Sequence, residues 1–293
     1  MDNQISTIAV LGAGTMGRGI AHVSALAGYD TTLYDTSAEA LKKAQGTIHK
    51  NLDKGVELKK VDAGAAEKAK QGLHLCDNLS EAVEKADLVI ESVPEDITLK
   101  TEMFHALSLH APDHALFASN TSALSITEMA AASRRPERFA GMHFFNPVHV
   151  MKLIELIRGL ETSQETLDAL RAVGERMGKE IVVVNEAPGF VTSRINALIG
   201  NEAFRMLQEG VASAGDIDKA LKLGLNHPMG PFEMVDLVGL DVRLSILEFL
   251  HRSLGEAYRP NQILIQHVRA GRLGRKVGRG VYDYDENGQQ VRK

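Results

Sequence analysis

Two residues in the stretch GMHFFNPVHVMKLIEL, residues 141–156, stand out for the chemistry they could do. The stretch is mostly apolar, yet it carries His143 and Glu155. If Met151, Leu153, Glu155 and Ile157 share one strand face, a carboxylate sits in an apolar row, because alternate strand residues point the same way. Histidine is the side chain whose ordinary pKa lies nearest neutrality, so it can take up and return a proton. A carboxylate beside it would fix one tautomer and stabilise the imidazolium. The bland alternative is a hydrogen-bonded structural histidine among aromatic residues. A register shift of one residue would also turn Glu155 to solvent. The residues alone leave both readings open. His149 is a weaker competitor in the same loop. His22, His105 and His110 fall on predicted helices and read as surface or packing residues.

A second constellation lies near the start of the chain. GAGTMG, residues 12–17, follows a predicted strand and opens a predicted helix. Gly12 permits a tight turn, Gly14 lets a pyrophosphate approach the backbone, and Gly17 allows close helix–strand packing. Thr15 and Met16 open the helix, whose free N–H groups and positive dipole end would face the phosphates. On its own such a motif is weak, and a glycine-rich turn explains it equally well. Here Asp35 ends the next strand, where a carboxylate would accept hydrogen bonds from ribose hydroxyls. The residues after it are Thr36 and Ser37, with no arginine to neutralise a 2′-phosphate, so NAD is expected in preference to NADP.

Elements must place these residues. Strands are expected at 5–11, 30–34, 87–93, 114–119, 138–143, 150–157 and 180–184, with LHLC (73–76) as a short strand end. Helices are expected after the glycine motif, over about 37–72, over 97–110 and over 163–178. Strand alternating with helix argues for a parallel sheet covered on both faces. After Asn185 the pattern turns helical, and the boundary is placed near EAPG (186–189). In VTSRINALIGNEAFRMLQEG one helix is predicted, with Ile195, Leu198, Ile199, Glu202, Ala203, Met206 and Leu207 on its apolar face and Gly210 as its stop. Ser213 or Asp216 would cap the next helix.

Bulk properties bound the answer. A chain of 293 residues, 44% hydrophobic and 24% charged, is expected to hold one large or two ordinary domains. Its net charge of −5 argues against nucleic acid as a partner. The single cysteine, Cys76, cannot form an internal disulfide and reads as a small buried hydrophobe. The N-terminus has no basic leader and no apolar run is of membrane-spanning length, so a cytoplasmic protein without membrane contact is expected. Residues 42–70 carry eight lysines against four acids, which makes that segment +4 and the remainder −9.

Several long blocks, in order, resemble the short-chain L-3-hydroxyacyl-CoA dehydrogenases, including the 3-hydroxybutyryl-CoA dehydrogenases. They are VLGAGTMGRGIA, ASNTSALSI (118–126), GMHFFNPVHVMKLIEL, PGFVTSR (188–194) and NHPMGPFEMVDLVGLD (226–241). The resemblance covers essentially the whole chain. It implies an α/β fold: a Rossmann-type, doubly wound, mainly parallel sheet over residues 1–187, with a helical arm at about 37–72. An all-α substrate and dimerisation domain follows over 188–293. The implied activity is NAD-dependent oxidation of a 3-hydroxyacyl-CoA to the 3-ketoacyl-CoA by a homodimer.

Carried over by position, the resemblance makes His143 the general base, Glu155 its partner, and Ser122 a hydrogen-bond partner of the reacting oxygen. Ser122 follows a predicted strand. It is free for that role because Ser125 with Glu128 fits the cap of the next helix better. Glu95, Lys100, Asn120 and Asn146 would line the nicotinamide side of the cofactor site, and Lys276 would add a cofactor contact. In one place the chain departs from the family: three positions after Phe190 stands Ser193, where an asparagine usually contacts substrate. Asn196 lies one turn later on nearly the same face. The lysine-rich arm suits the phosphates of CoA, with Lys54 and Lys59 as candidates; a solvated helix face explains the same lysines. Two other functions compete. A dehydrogenase of a free hydroxy or sugar acid would share the fold, although VTSRINALIG lacks the helix lysine that short β-hydroxyacid dehydrogenases use there. A non-catalytic nucleotide-binding protein would not need His143, Glu155 and Ser122 together.

Overall fold

The computed structural model describes residues 5–291. The chain divides into two compact units between Glu186 and Ala187. The first unit is built on eight strands: β1 (Thr7–Leu11), β2 (Asp30–Tyr34), β3 (Leu73–Cys76), β4 (Leu88–Glu91), β5 (Leu116–Ser119), β6 (Phe139–Phe144), β7 (Leu153–Arg158) and β8 (Glu180–Asn185). Their order across the sheet is β3-β2-β1-β4-β5-β6-β7-β8. Neighbours from β3 to β6 are parallel, as the alternation of strands and helices requires. β7 is antiparallel to β6, and β8 is parallel to β7, so the last two strands run against the rest. The reason is connection length. A parallel crossover takes about a dozen residues or more, and the short segment Phe145–Lys152 can only turn back.

Seven helices join these strands: α1 (Thr15–Leu26), α2 (Ala38–Glu57), α3 (Ala63–Gln71), α4 (Leu79–Val83), α5 (Ile97–His110), α6 (Ile126–Ala132) and α7 (Gln164–Arg176). β1 and β4 are buried almost throughout, as strands covered on both faces must be, with Val10, Leu11, Leu88, Val89 and Ile90 fully enclosed. The arm expected as one helical stretch is two helices. α2 runs from its Ser37 cap to Glu57, Lys59 turns the chain at φ +54°, and Asp62 caps α3 by accepting from Ala65 N. Asp62 was the missed signal, because an aspartate three residues before an exposed N–H starts a new helix. α4, capped by Asn78, is an additional short element between β3 and β4.

The second unit holds α8 (Thr192–Gln208), α9 (Ala214–Gly224), α10 (Pro231–Val238), α11 (Leu240–Leu254) and α12 (Gln262–Arg269). Its core gathers around Phe204 and Phe232, which meet edge to face at 5.1 Å. The buried face of α8 differs from the expected one. Ala197, Gly200, Asn201, Ala203 and Phe204 are enclosed, and Ile195 is 53% exposed. The helix packs through its small residues: a Cβ on Gly200 would stand 3.0 Å from Val235. Ser213 caps α9 by accepting from Asp216 N.

Candidate active site

The nucleotide motif is positioned by β1 and α1. Gly12 turns the chain at φ +99°, and a Cβ there would meet Ser92 O at 2.7 Å. A Cβ on Gly17 would lie 1.8 Å from Gly12 O, so only glycine lets α1 start this close to the turn. Gly14 is different: nothing in the protein lies within 4 Å of a Cβ placed there. It stands exposed at the start of α1, followed by exposed Thr15 and half-buried Met16. The helix has no side-chain cap. Its first N–H groups therefore need an outside acceptor. Asp35, directly after β2, accepts from Ala13 N at 2.8 Å and from Ser37 N at 2.9 Å. A carboxylate has about four acceptor positions, so Asp35 keeps capacity for hydroxyls. An open glycine, an uncapped helix start and an unsaturated carboxylate fit a dinucleotide.

The candidate proton-handling residues lie on β6, on β7 and just after β5. His143 and Glu155 are direct partners in the antiparallel register. His143 Nδ1 lies 2.8 Å from Glu155 Oε2, and both residues are buried, at 5% and 1% exposure. An ionised carboxylate only accepts, so Nδ1 carries the proton and Nε2 is the accepting nitrogen. Ser122 Oγ lies 3.2 Å from Nε2 and donates to it. The imidazole also packs on Phe145, with ring centroids 4.5 Å apart. Three residues from three chain segments thus form one line, Ser122–His143–Glu155. It lies near the C-terminal ends of β5 and β6, where parallel strands present ligand sites.

A polar shell surrounds that line. Asn120 accepts from Phe144 N at 2.8 Å and donates to Ser92 Oγ at 3.3 Å, tying β6 to the end of β4. Glu95 Oε1 accepts from Thr121 Oγ1 at 2.5 Å and from Ser122 N at 3.0 Å. Lys100 is 1% exposed, with its ammonium 2.6 Å from Glu91 and 3.3 Å from Glu95. It therefore holds the shell from beneath. Asn146 is exposed in the β6–β7 connection, where the Asn146–Pro147 peptide is cis. Glu91, Ser119 and Thr121 were missed by sequence reasoning. Glu91 could have been found: it is a carboxylate in the apolar run DLVIESV, the signal that singled out Glu155.

His22 and His149 lie outside this group. They stack at 5.4 Å with 7° between the rings, and His22 is buried at 4% exposure. Burial first, then His149 and Lys179, pushes the His22 pKa down to about 4. Lys179 donates to the backbone carbonyls of Val148 and Met151, which anchors the β6–β7 connection. Lys54 and Lys59 are exposed at the end of α2 and just beyond it. Ser193 is the second residue of α8 and half-buried, with Asn196 one turn along; both belong to the second unit. Lys276 also belongs to that unit and is held 2.6 Å from Asp241.

A doubly wound sheet that joins a glycine-turn nucleotide site to a histidine–carboxylate pair is the architecture of a dinucleotide-dependent dehydrogenase. Family models agree in detail. Residues 7–187 match the NAD binding domain of 3-hydroxyacyl-CoA dehydrogenase and residues 189–284 match its C-terminal domain. The chain belongs to the 3-hydroxyacyl-CoA dehydrogenase family. It is 47% identical to a probable 3-hydroxybutyryl-CoA dehydrogenase of Bacillus subtilis, over 97% of this chain and 99% of that protein. The solved structure of (S)-3-hydroxybutyryl-CoA dehydrogenase PaaH1 from Ralstonia eutropha superposes with a TM-score of 0.93 at 40% identity, covering 97% of this chain and 100% of that one. A diketoreductase acting on dicarbonyl compounds superposes with a TM-score of 0.84 at 30% identity, covering 96% and 99%.

Proposed function

We propose that this chain catalyses the reversible, NAD-dependent oxidation of (S)-3-hydroxyacyl-CoA, with 3-hydroxybutyryl-CoA as its substrate, to the 3-ketoacyl-CoA. The observation that carries this reading is the Ser122–His143–Glu155 line. Oxidising a secondary alcohol removes a proton from oxygen and a hydride from carbon. His143 Nε2 takes the hydroxyl proton, since Nδ1 is committed to Glu155. The carboxylate stabilises the imidazolium: at about 4 Å and an effective dielectric near 20, opposite unit charges attract by about 4 kcal/mol before desolvation. Ser122 gives up its bond to Nε2 and donates to the reacting oxygen. Bound NAD supplies the hydride acceptor, held by Gly12, Gly14, Thr15, Met16, Gly17 and Asp35. Ketone reduction runs in reverse, with imidazolium as the acid.

Lys54 and Lys59 offer ammonium groups to the phosphates of CoA, and Ser193 with Asn196 takes the place of the asparagine found in the family. Lys276 adds a cofactor contact. The second unit pairs with a copy of itself through α10 and α11, where Leu237, Val238 and Val242 are 50%, 37% and 42% exposed. No helix among the described residues is long and apolar enough to cross a membrane.

One experiment tests the reading. Steady-state rates are measured with acetoacetyl-CoA and with free acetoacetate, each with NADH and NADPH. Rapid turnover of the CoA ester with NADH alone is expected. The relation to a diketoreductase favours a second reading, reduction of free dicarbonyl compounds, which a faster rate on the free ketone would establish.

A further inference from the structure

Glu91 ends β4 with no exposed surface. A carboxylate enclosed in this way must be paired. Its Oε1 accepts from Lys100 Nζ at 2.6 Å and from Val93 N at 2.7 Å. Its Oε2 accepts from Ser119 Oγ at 2.5 Å. Two branches leave from here. In one, Lys100 reaches Glu95 Oε2 at 3.3 Å, and Glu95 Oε1 accepts from Thr121 Oγ1 and Ser122 N. In the other, Ser119 Oγ accepts from Thr121 N at 3.2 Å. Both arrive at the Thr121–Ser122 segment, and Ser122 Oγ meets His143 Nε2.

A buried ion pair is a poor device for stability alone, because apolar residues of similar volume often serve as well or better. Glu95 also has a side chain 44% exposed, so without an anchor it would be free to leave Ser122 for water. We propose that Glu91 is a positioning residue for the reaction: through Lys100 and Glu95 on one side, and Ser119 and Thr121 on the other, it holds the Ser122 hydroxyl against His143. Glu91 touches neither substrate nor cofactor. This inference rests on the reading of Ser122 and His143 given above.

The test uses the full chain at saturating NADH. Glu91→Gln removes the charge and keeps the shape. Its kcat is expected to fall about tenfold, or about 1.4 kcal/mol, with KM for acetoacetyl-CoA within about twofold. In a Ser122→Ala background, Glu91→Gln is expected to change kcat less than about twofold, because the group it positions is gone. A neutral pair, Glu91→Leu with Lys100→Met, is expected to recover the Tm lost in Glu91→Gln while kcat stays low. A tenfold additive loss in the Ser122→Ala background would overturn the proposal, as would kcat returning together with Tm in the neutral pair. If Glu91→Gln does not fold, the neutral pair made with and without Ser122→Ala gives the same comparison. The wild-type rate on the CoA ester reports separately on the proposed function. The coupling between Glu91 and Ser122 can be measured on whichever carbonyl compound the wild type reduces.

Discussion

His143 and Glu155 face each other on one rung of the β6–β7 pair, and that rung sets the 2.8 Å approach of Nδ1 to Oε2. Glu155→Gln keeps an acceptor for Nδ1–H and removes only the charge. It is expected to fold normally and to lose at least about 10²-fold in kcat, the lower range of what acid–base assistance contributes. His143→Ala should lose as much or more. Retained turnover in either variant, measured at saturating NADH and acyl-CoA, would remove the pair from the mechanism.

The motif glycines separate binding from folding. Gly14→Ala adds a methyl group that meets no protein atom within 4 Å, so Tm is expected to stay within about 1 °C, small beside the several degrees that 1 kcal/mol moves a typical domain. That methyl group would stand where a pyrophosphate approaches the backbone, and NADH affinity should fall at least about tenfold, about 1.4 kcal/mol. Gly17→Ala puts a Cβ 1.8 Å from Gly12 O and should not give a folded nucleotide-binding unit. NADH fluorescence titration and thermal unfolding distinguish the two.

His22 predicts an acid-sensitive stability. Its pKa is lowered from 6.5 to about 4, chiefly by burial, so the unfolded chain takes up this proton first. Stability therefore falls as the pH drops from 6.5 towards 4, and this group alone is worth roughly 3 kcal/mol across that window. His22→Gln takes up no proton there. Thermal melts between pH 4 and 7 should show a shallower acid decline for the variant. Parallel curves for variant and wild type would refute the assignment.

Ser193 is the residue proposed to stand in for an asparagine of the family. Ser193→Ala is expected to weaken acyl-CoA binding or turnover about three- to tenfold, in line with the loss of a single hydrogen bond. Ser193→Asn should keep activity and shift the preference among C4, C8 and C16 substrates. An alanine variant with unchanged kcat and KM would leave the hydroxyl without a role.

Much of this was legible in the sequence because its signals are local. DTTLY is the strand β2 with the expected ends, and Ser125 caps α6 as its spacing with Glu128 implied. The glycine motif and the His–Glu stretch are also short and self-contained. What stayed hidden depends on distant partners. Apolar periodicity does not give strand direction, so the reversal of β7 and β8 follows only from the short connection. The buried face of α8 is chosen by what Val235 and Phe232 bring to Gly200 and Phe204. Glu91 carries the local signal of a carboxylate in an apolar run, but its partners Lys100 and Ser119, with Thr121 bonded to Ser119, arrive from other elements.

The reversal of β7 has a consequence for how this pair is held. Because backbone pairing places both side chains, the His143–Glu155 pair lies within one contiguous hairpin, residues 139–158. Insertions or deletions in its tip, from Phe145 to Lys152, would alter what the tip contacts and leave the two side chains opposed. The histidine–glutamate pair is thus fixed by strand register, whereas the tip is held by its own contacts to His22 and Lys179.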